Sequence, residues 1–147
     1  MLSQERYAQH MSDRPANFYF ASLWNKLFKR EFIERESLYF DTSSSFGEDH
    51  IFILDYLRMV RKVMLVDSPL YYYVDNAGSL MHQGLNPAAV IRMKLRIFRP
   101  YVDLFNALGM NSTARERSKV LSFLFWPATD GLVRSNAEQL DVSCIPG

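Results

Sequence analysis

The sequence has a single cysteine, Cys144, so it can close no internal disulfide and has no second thiolate with which to build a cysteine metal site. That fits a reducing compartment. Long apolar runs are missing too, since none approaches the roughly 20 residues needed to span a bilayer. The opening Met1-Leu2-Ser3-Gln4-Glu5-Arg6 is polar and carries no signal-peptide core. Charge of one sign is not in excess: 17 Lys and Arg stand against 16 Asp and Glu, for a net +1. A balance this close leaves no electrostatic case for nucleic acid as a main partner. Internal repeats are absent, and low complexity is confined to a serine loop. These features point to a cytoplasmic chain, either free or at the inner face of the membrane.

What is present suits one domain with a real core; 147 residues are too few for two large ones. Apolar residues make up 48% and charged residues 22%, the proportions of a globular protein. Aromatics are abundant, with eleven Phe and eight Tyr. Residues 1–15 are polar, end at Arg14-Pro15 and read as a connector. Ala16 to Phe28 alternates imperfectly, so strand and short helix compete there. Lys29 to Ser37 predicts a short helix with Phe32 and Ile33 inward, then an extended Leu38-Tyr39-Phe40. Asp41-Thr42-Ser43-Ser44-Ser45 is a loop by composition.

A helix is expected from Glu48 to about Arg61. One apolar row holds Ile51 and Leu54 with Met59, and a second holds Phe52, Tyr56 and Val60, so a wide face should be buried. Acids at its start (Glu48, Asp49) and bases at its end (Arg58, Arg61, Lys62) match the helix dipole. Val63–Val66 and Leu70–Val74 read as short strands, and Asp75-Asn76-Ala77-Gly78 as a turn. Asn86-Pro87 marks the start of another helix, with Ile91, Leu95, Phe98, Val102 and Phe105 inward. Pro100 should kink or split it, and Gly109 should stop it. Thr113-Ala114-Arg115-Glu116 is a capping box that opens a last helix through about Phe125. Pro127 and Gly131 close the regular pattern, and Asn136 to Gly147 has no clear structure.

Three blocks carry the chemistry: Trp24-Asn25-Lys26-Leu27-Phe28-Lys29-Arg30, then Phe46-Gly47-Glu48-Asp49-His50-Ile51-Phe52, then Pro69-Leu70-Tyr71-Tyr72-Tyr73. In order and spacing they resemble the acceptor-side half of bacterial inverting glycosyltransferases of family 2, which have the GT-A fold. The resemblance covers roughly residues 18–82. It implies an α+β, helix-rich chain: an incomplete GT-A fold with few short strands over 1–84, followed by a C-terminal helical region over 85–147. It also implies a role in making cell-surface polysaccharide.

Inverting transfer needs a base to take the acceptor hydroxyl's proton as that oxygen attacks the anomeric carbon. The resemblance assigns this to Asp49, with Glu48 orienting the acceptor. A carboxylate in the first turn of a helix is kept ionised by the dipole, and a glycine before it lets the backbone approach substrate. Taken alone, the same pair reads as ordinary first-turn acids. Beside the donor–acceptor cleft, Asn25 can hold hydroxyls and Lys26 can meet phosphate. Trp24 either stacks on a sugar or is simply a buried indole. His50 can touch the acceptor because it follows Asp49. The tyrosine run reads first as structural, with Tyr71 and Tyr73 on one strand face, Tyr72 on the other and one face packed against the Glu48–Arg61 helix; sugar stacking by one of the three is the second reading. Val74 stands where the family often carries a basic residue, which puts a phosphate contact there in doubt. His82 lies where some GT-A enzymes place a metal-ligating histidine but has no companion ligand, so no metal is assigned to it. His10 has no context. Arg92, Lys94, Arg96 and Arg99 make either a face for anionic lipid or a solvated side of a helix.

The nucleotide-binding half that the resemblance calls for, with its Asp-x-Asp motif, is not found. The sequence has no Asp-x-Asp and no room for the roughly 100 residues of such a half. The expectation is therefore a C-terminal portion of a longer enzyme, with Met1 an internal methionine and no turnover alone. Nucleotide-sugar donor, glycan or lipid-linked acceptor and divalent Mg or Mn belong to the complete enzyme, and this chain alone should bind no metal. An exposed apolar surface should promote self-association. The alternative is a stand-alone, non-catalytic helical module that binds a protein partner.

Overall fold

The computed structural model describes residues 1–15, 18–42, 46–72, 74 and 86–126. Six helices and one two-stranded ribbon are found among them. The expected α+β, helix-rich class is what the chain adopts.

The first departure comes at the N-terminus. Residues 1–15 are no connector. Leu2–Ser3 forms β1 and Gln4–Asp13 forms α1. Ser3 caps α1, its Oγ accepting from the Arg6 N–H at 3.2 Å. Tyr7, Ala8 and Met11 of α1 are buried in the core. So narrow a stripe is easily lost in a segment whose overall composition is polar.

Phe18–Ala21 (α2) settles the strand-or-helix ambiguity as one short helical turn. Arg30–Arg35 (α3) is the short helix the pattern predicted, with Phe32 and Ile33 packed against the core. Glu48–Leu57 (α4) runs through the middle of the protein, burying Phe52, Ile53, Leu54, Tyr56 and Leu57. A wide buried face is thus observed. The helix nevertheless ends about one turn before Arg61. There the chain must leave the helix to place Lys62–Val63 (β2) antiparallel to β1, with Leu2 opposite Val63. The Arg61 carbonyl accepts from the Gln4 N–H at 3.0 Å, which ties the two segments together. Arg61 and Lys62 therefore lie beyond the helix, and only Arg58 stands at its C-terminal end.

Of the two runs expected as strands, only Val63 at the start of the first is in one. Leu70, Tyr71, Tyr72 and Val74 belong to no strand. A strand needs a neighbour, and among the described residues β1 is the only segment that supplies one. Tyr73, Asp75–Gly78 and His82 lie outside the described residues, as do the expectations for Pro127, Gly131, Asn136–Gly147 and Cys144.

Pro87–Ala107 (α5) starts where predicted, with Asn86 Oδ1 accepting from the Ala89 N–H at 2.8 Å. It passes through Pro100 without splitting. Its inward face matches the expected one toward the C-terminal end, where Phe105 is buried and Phe98 and Val102 pack against the core, but not at the start. Ile97, Tyr101, Leu104 and Phe105 are buried, whereas Ile91 and Leu95 are each 58% exposed. The helix packs on α4 along one side and on Ala114–Phe125 (α6) along the other, so two neighbours decide what is inside. Gly109 stops it in the left-handed region at φ 68°. The Met110 N–H donates to Phe105 O at 2.8 Å and the Gly109 N–H to Asn106 O at 3.1 Å, a Schellman ending. The Thr113 capping box forms in full: Thr113 Oγ1 accepts from the Glu116 N–H, and Glu116 Oε2 from the Thr113 N–H. One buried cluster, from Tyr7 through Leu54 and Tyr101 to Phe123, joins residues on both sides of position 85.

Candidate active site

Glu48 and Asp49 occupy the first turn of α4, directly after Gly47. Gly47 has φ 85°, a backbone state that side chains disfavour. Its missing Cβ makes room for the protein itself: a methyl there would stand 2.8 Å from Ile97 Cδ1 and 3.0 Å from Met93 Cγ. The expectation that this glycine opens the backbone toward substrate is corrected, because the close approach is to α5. Arg96 of α5 completes the clamp, donating to Phe46 O and lying 3.7 Å from an Asp41 carboxylate oxygen. Nothing in the local sequence around Phe46 signals this arginine, which is fifty residues away.

Asn25 and Lys26 lie between α2 and α3. The Lys26 Nζ donates to Tyr19 O at 2.6 Å, Ser22 O at 2.8 Å and Asn25 Oδ1 at 2.8 Å. Asn25 Nδ2 donates to the same Tyr19 O at 3.1 Å. An ammonium has three hydrogens, and all three are taken by protein acceptors. Lys26 thus satisfies the carbonyls at the end of α2, and the expected phosphate contact has no hydrogen left to make it. Asn25 is likewise engaged with protein at both ends of its amide.

Lys26 still bears on the carboxylates. Burial pulls its pKa down to about 7, and the charge of Asp49 acts in the opposite direction. Burial pushes the Asp49 carboxyl above its usual range, Glu48 pushes it the same way, and Lys26 draws it back. His50 responds to the same lysine: burial first, then the Lys26 charge, lower its pKa to about 4. Electrostatically, then, Lys26, Glu48, Asp49 and His50 form one group at the start of α4.

They are not equally placed to touch a ligand. Asp49 is partly exposed. His50 is 6% exposed, its ring edge-on to Phe123 of α6 at 5.8 Å. The expectation that His50 reaches an acceptor is corrected: successive residues of a helix point about 100° apart, so His50 turns inward where Asp49 turns out. His50 Nε2 and Glu48 Oε2 are buried and have no hydrogen-bond partner among the described residues.

Trp24 is half-buried and stacks on Tyr71, ring centroids 5.1 Å apart and planes 29° from parallel. Tyr71 of the tyrosine run therefore meets the Trp24 block. The basic residues of α5 divide. Lys94 donates to Leu124 O at 3.1 Å and to Trp126 O, closing the end of α6, and Arg96 is held as above. Arg92 and Arg99 remain exposed. A shallow groove of about 740 Å³ runs along α6, past Arg117, Leu121, Phe125 and Trp126, and none of the expected site residues lines it.

Among the described residues no three His, Cys, Asp or Glu side chains are grouped to hold a metal ion. No helix among them is long and apolar enough to cross a membrane.

No protein-family model matches the chain. No solved structure matches it either. Among curated proteins it is 30% identical over 94 residues to the "uncharacterized glycosyltransferase EpsJ" of Bacillus subtilis (strain 168). The match takes in 64% of this chain but only 27% of that protein's length. Over that stretch, the chain is similar to a glycosyltransferase.

Proposed function

We propose that this chain is the acceptor-side portion of an inverting glycosyltransferase of family 2 and GT-A type, with Asp49 as its general base. The acceptor's hydroxyl gives its proton to the Asp49 carboxylate as its oxygen bonds to the anomeric carbon. The nucleoside diphosphate leaves with the electrons of the bond that breaks. Substrates are a nucleotide sugar and a glycan or lipid-linked acceptor, on the cytoplasmic side of a membrane where surface polysaccharide is made.

One observation carries the reading. Asp49 is a partly exposed carboxylate in the first turn of α4 whose affinity for protons is raised by burial and by Glu48 and drawn back by Lys26. Lys26 and Asn25 fix the loop after α2, and the Lys26 charge acts on Asp49. The Mg or Mn expected at the donor diphosphate finds no ligand set among the described residues.

The test uses a chimera in which this chain replaces the corresponding part of the Bacillus relative. Release of nucleoside diphosphate from a panel of nucleotide sugars, dependent on added acceptor, is expected. Asp49→Asn should lower it by at least about a hundredfold. An Asp49→Asn chimera as active as its parent removes Asp49 from the mechanism.

A second reading, a non-catalytic module that binds a protein, draws support from α6. There Phe125 is 83% exposed and Leu121 48%, beside the groove. It predicts that the chimera is inactive while Phe125→Ser alters the chain's self-association in sedimentation.

A further inference from the structure

The stack of Trp24 on Tyr71 separates two roles that the sequence leaves merged. Trp24 has its indole Nε1 buried, and one ring face is turned to Tyr71. Tyr71 is 55% exposed, so the side of its ring away from Trp24 meets solvent. The indole behind it holds the phenol ring in place and lowers the entropy lost when something flat settles on the outer face. Tyr39 and Tyr72 are more exposed, at 82% and 87%, but among the described residues no ring is stacked behind either. Two residues past Trp24 comes Lys26, whose charge is felt at Asp49. Through Trp24, the ring is tied to the same segment that supplies the charge acting on Asp49.

A pyranose presents on one face a patch of axial C–H bonds, weakly positive and apolar, ringed by hydroxyls. An aromatic face, apolar and electron-rich, is its natural complement. We propose that the outward face of Tyr71, backed by Trp24, is the platform on which a pyranose ring of the acceptor lies. This rests on the acceptor-side reading above and names the kind of group that site receives. It also reassigns the sugar contact from the indole, which supports, to the phenol, which touches.

The experiment is saturation-transfer NMR on the full chain with methyl β-D-glucopyranoside and chitobiose as probes. Wild type and Tyr71→Phe should saturate the axial ring protons of the sugar alike, because the ring face and not the hydroxyl makes the contact. Tyr71→Ala should bind about tenfold more weakly. Tyr71 is exposed, so circular dichroism should show the Ala variant folded. Asp49→Asn should keep the binding, which separates the platform from the base. If Tyr71→Ala binds both sugars as well as wild type, or if wild type binds neither, the platform is overturned. In the chimera, Tyr71→Ala should raise the acceptor KM about tenfold with kcat little changed. Asp49→Asn inactive but Tyr71→Ala unaltered would sink the platform alone and leave the proposed function standing. An inactive chimera whose NMR still shows Tyr71-dependent binding would do the reverse.

Discussion

Gly47 and Ile97 are packed so closely that a side chain at position 47 has no room: a Cβ would come 2.8 Å from Ile97 Cδ1. The glycine is also in the left-handed region at φ 85°. Both effects act together in Gly47→Ala, through backbone strain and overpacking against α5. A loss of about 2–4 kcal/mol is expected. Urea denaturation measures it, and an unchanged midpoint would mean that α5 yields without cost. Because Gly47 sets the direction in which α4 begins, the same variant should also displace the Asp49 amide resonance.

Lys26 and Asp49 lower and raise one another's proton affinity in opposite senses, and removing the lysine shows it directly. In Lys26→Met the Asp49 carboxyl loses the charge that draws its pKa down. Its pKa should rise further above the usual range, as read by carbon-13 NMR of the side-chain carboxyl. A downward move would refute the coupling. Stability carries a second signature. The folded lysine releases its proton near pH 7, and the unfolded one only near its ordinary value of 10.5. Between those limits the unfolded state holds more protons, so wild-type stability should climb as pH rises from about 7 toward 10. Lys26→Met should lack that climb.

His50 works in the acid range. Its folded pKa is about 4 against an ordinary 6.5, so the unfolded chain binds the proton first on acidification. Its contribution is complete above about pH 6.5 and is lost as pH falls through 4. It amounts to roughly 3–4 kcal/mol at most, from a linkage of about 1.4 kcal/mol per pKa unit. Melts at pH 7 and pH 4.5 should differ less in His50→Gln than in wild type. An equal difference would show that His50 is not what limits acid stability.

Thr113→Ala removes one arm of the capping box at the start of α6. About 1 kcal/mol should be lost, measured by thermal unfolding. The Glu116 carboxyl, pulled down to about 2 by the Thr113 backbone N–H and by the hydroxyls of Ser112 and Thr113, should titrate higher in the variant. Retention of its low value would place the whole effect on the backbone.

The helix ends were legible in the sequence because their chemistry is local. Asn86 reaches only to Ala89, Thr113 only to Glu116, and Gly109 closes bonds to the turn just before it. Glu48 and Asp49 could be placed in a first turn for the same reason. Hydrogen bonds across three or four residues depend on residue type and spacing, and those are written in the chain itself.

Other features rest on contacts between distant segments, and only the tertiary structure decided them. Ile97 and Tyr101 are buried instead of Ile91 and Leu95 because α4 and α6 flank α5 on particular sides. Helix α4 stops at Leu57, and the chain beyond it pairs with β1 from the far N-terminus. Trp24 turned out to support Tyr71 because packing brought those two rings within reach. A periodic apolar pattern says that a face must be covered. Which neighbour covers it is settled by the free energy of the whole assembled core, a quantity no short stretch of sequence contains.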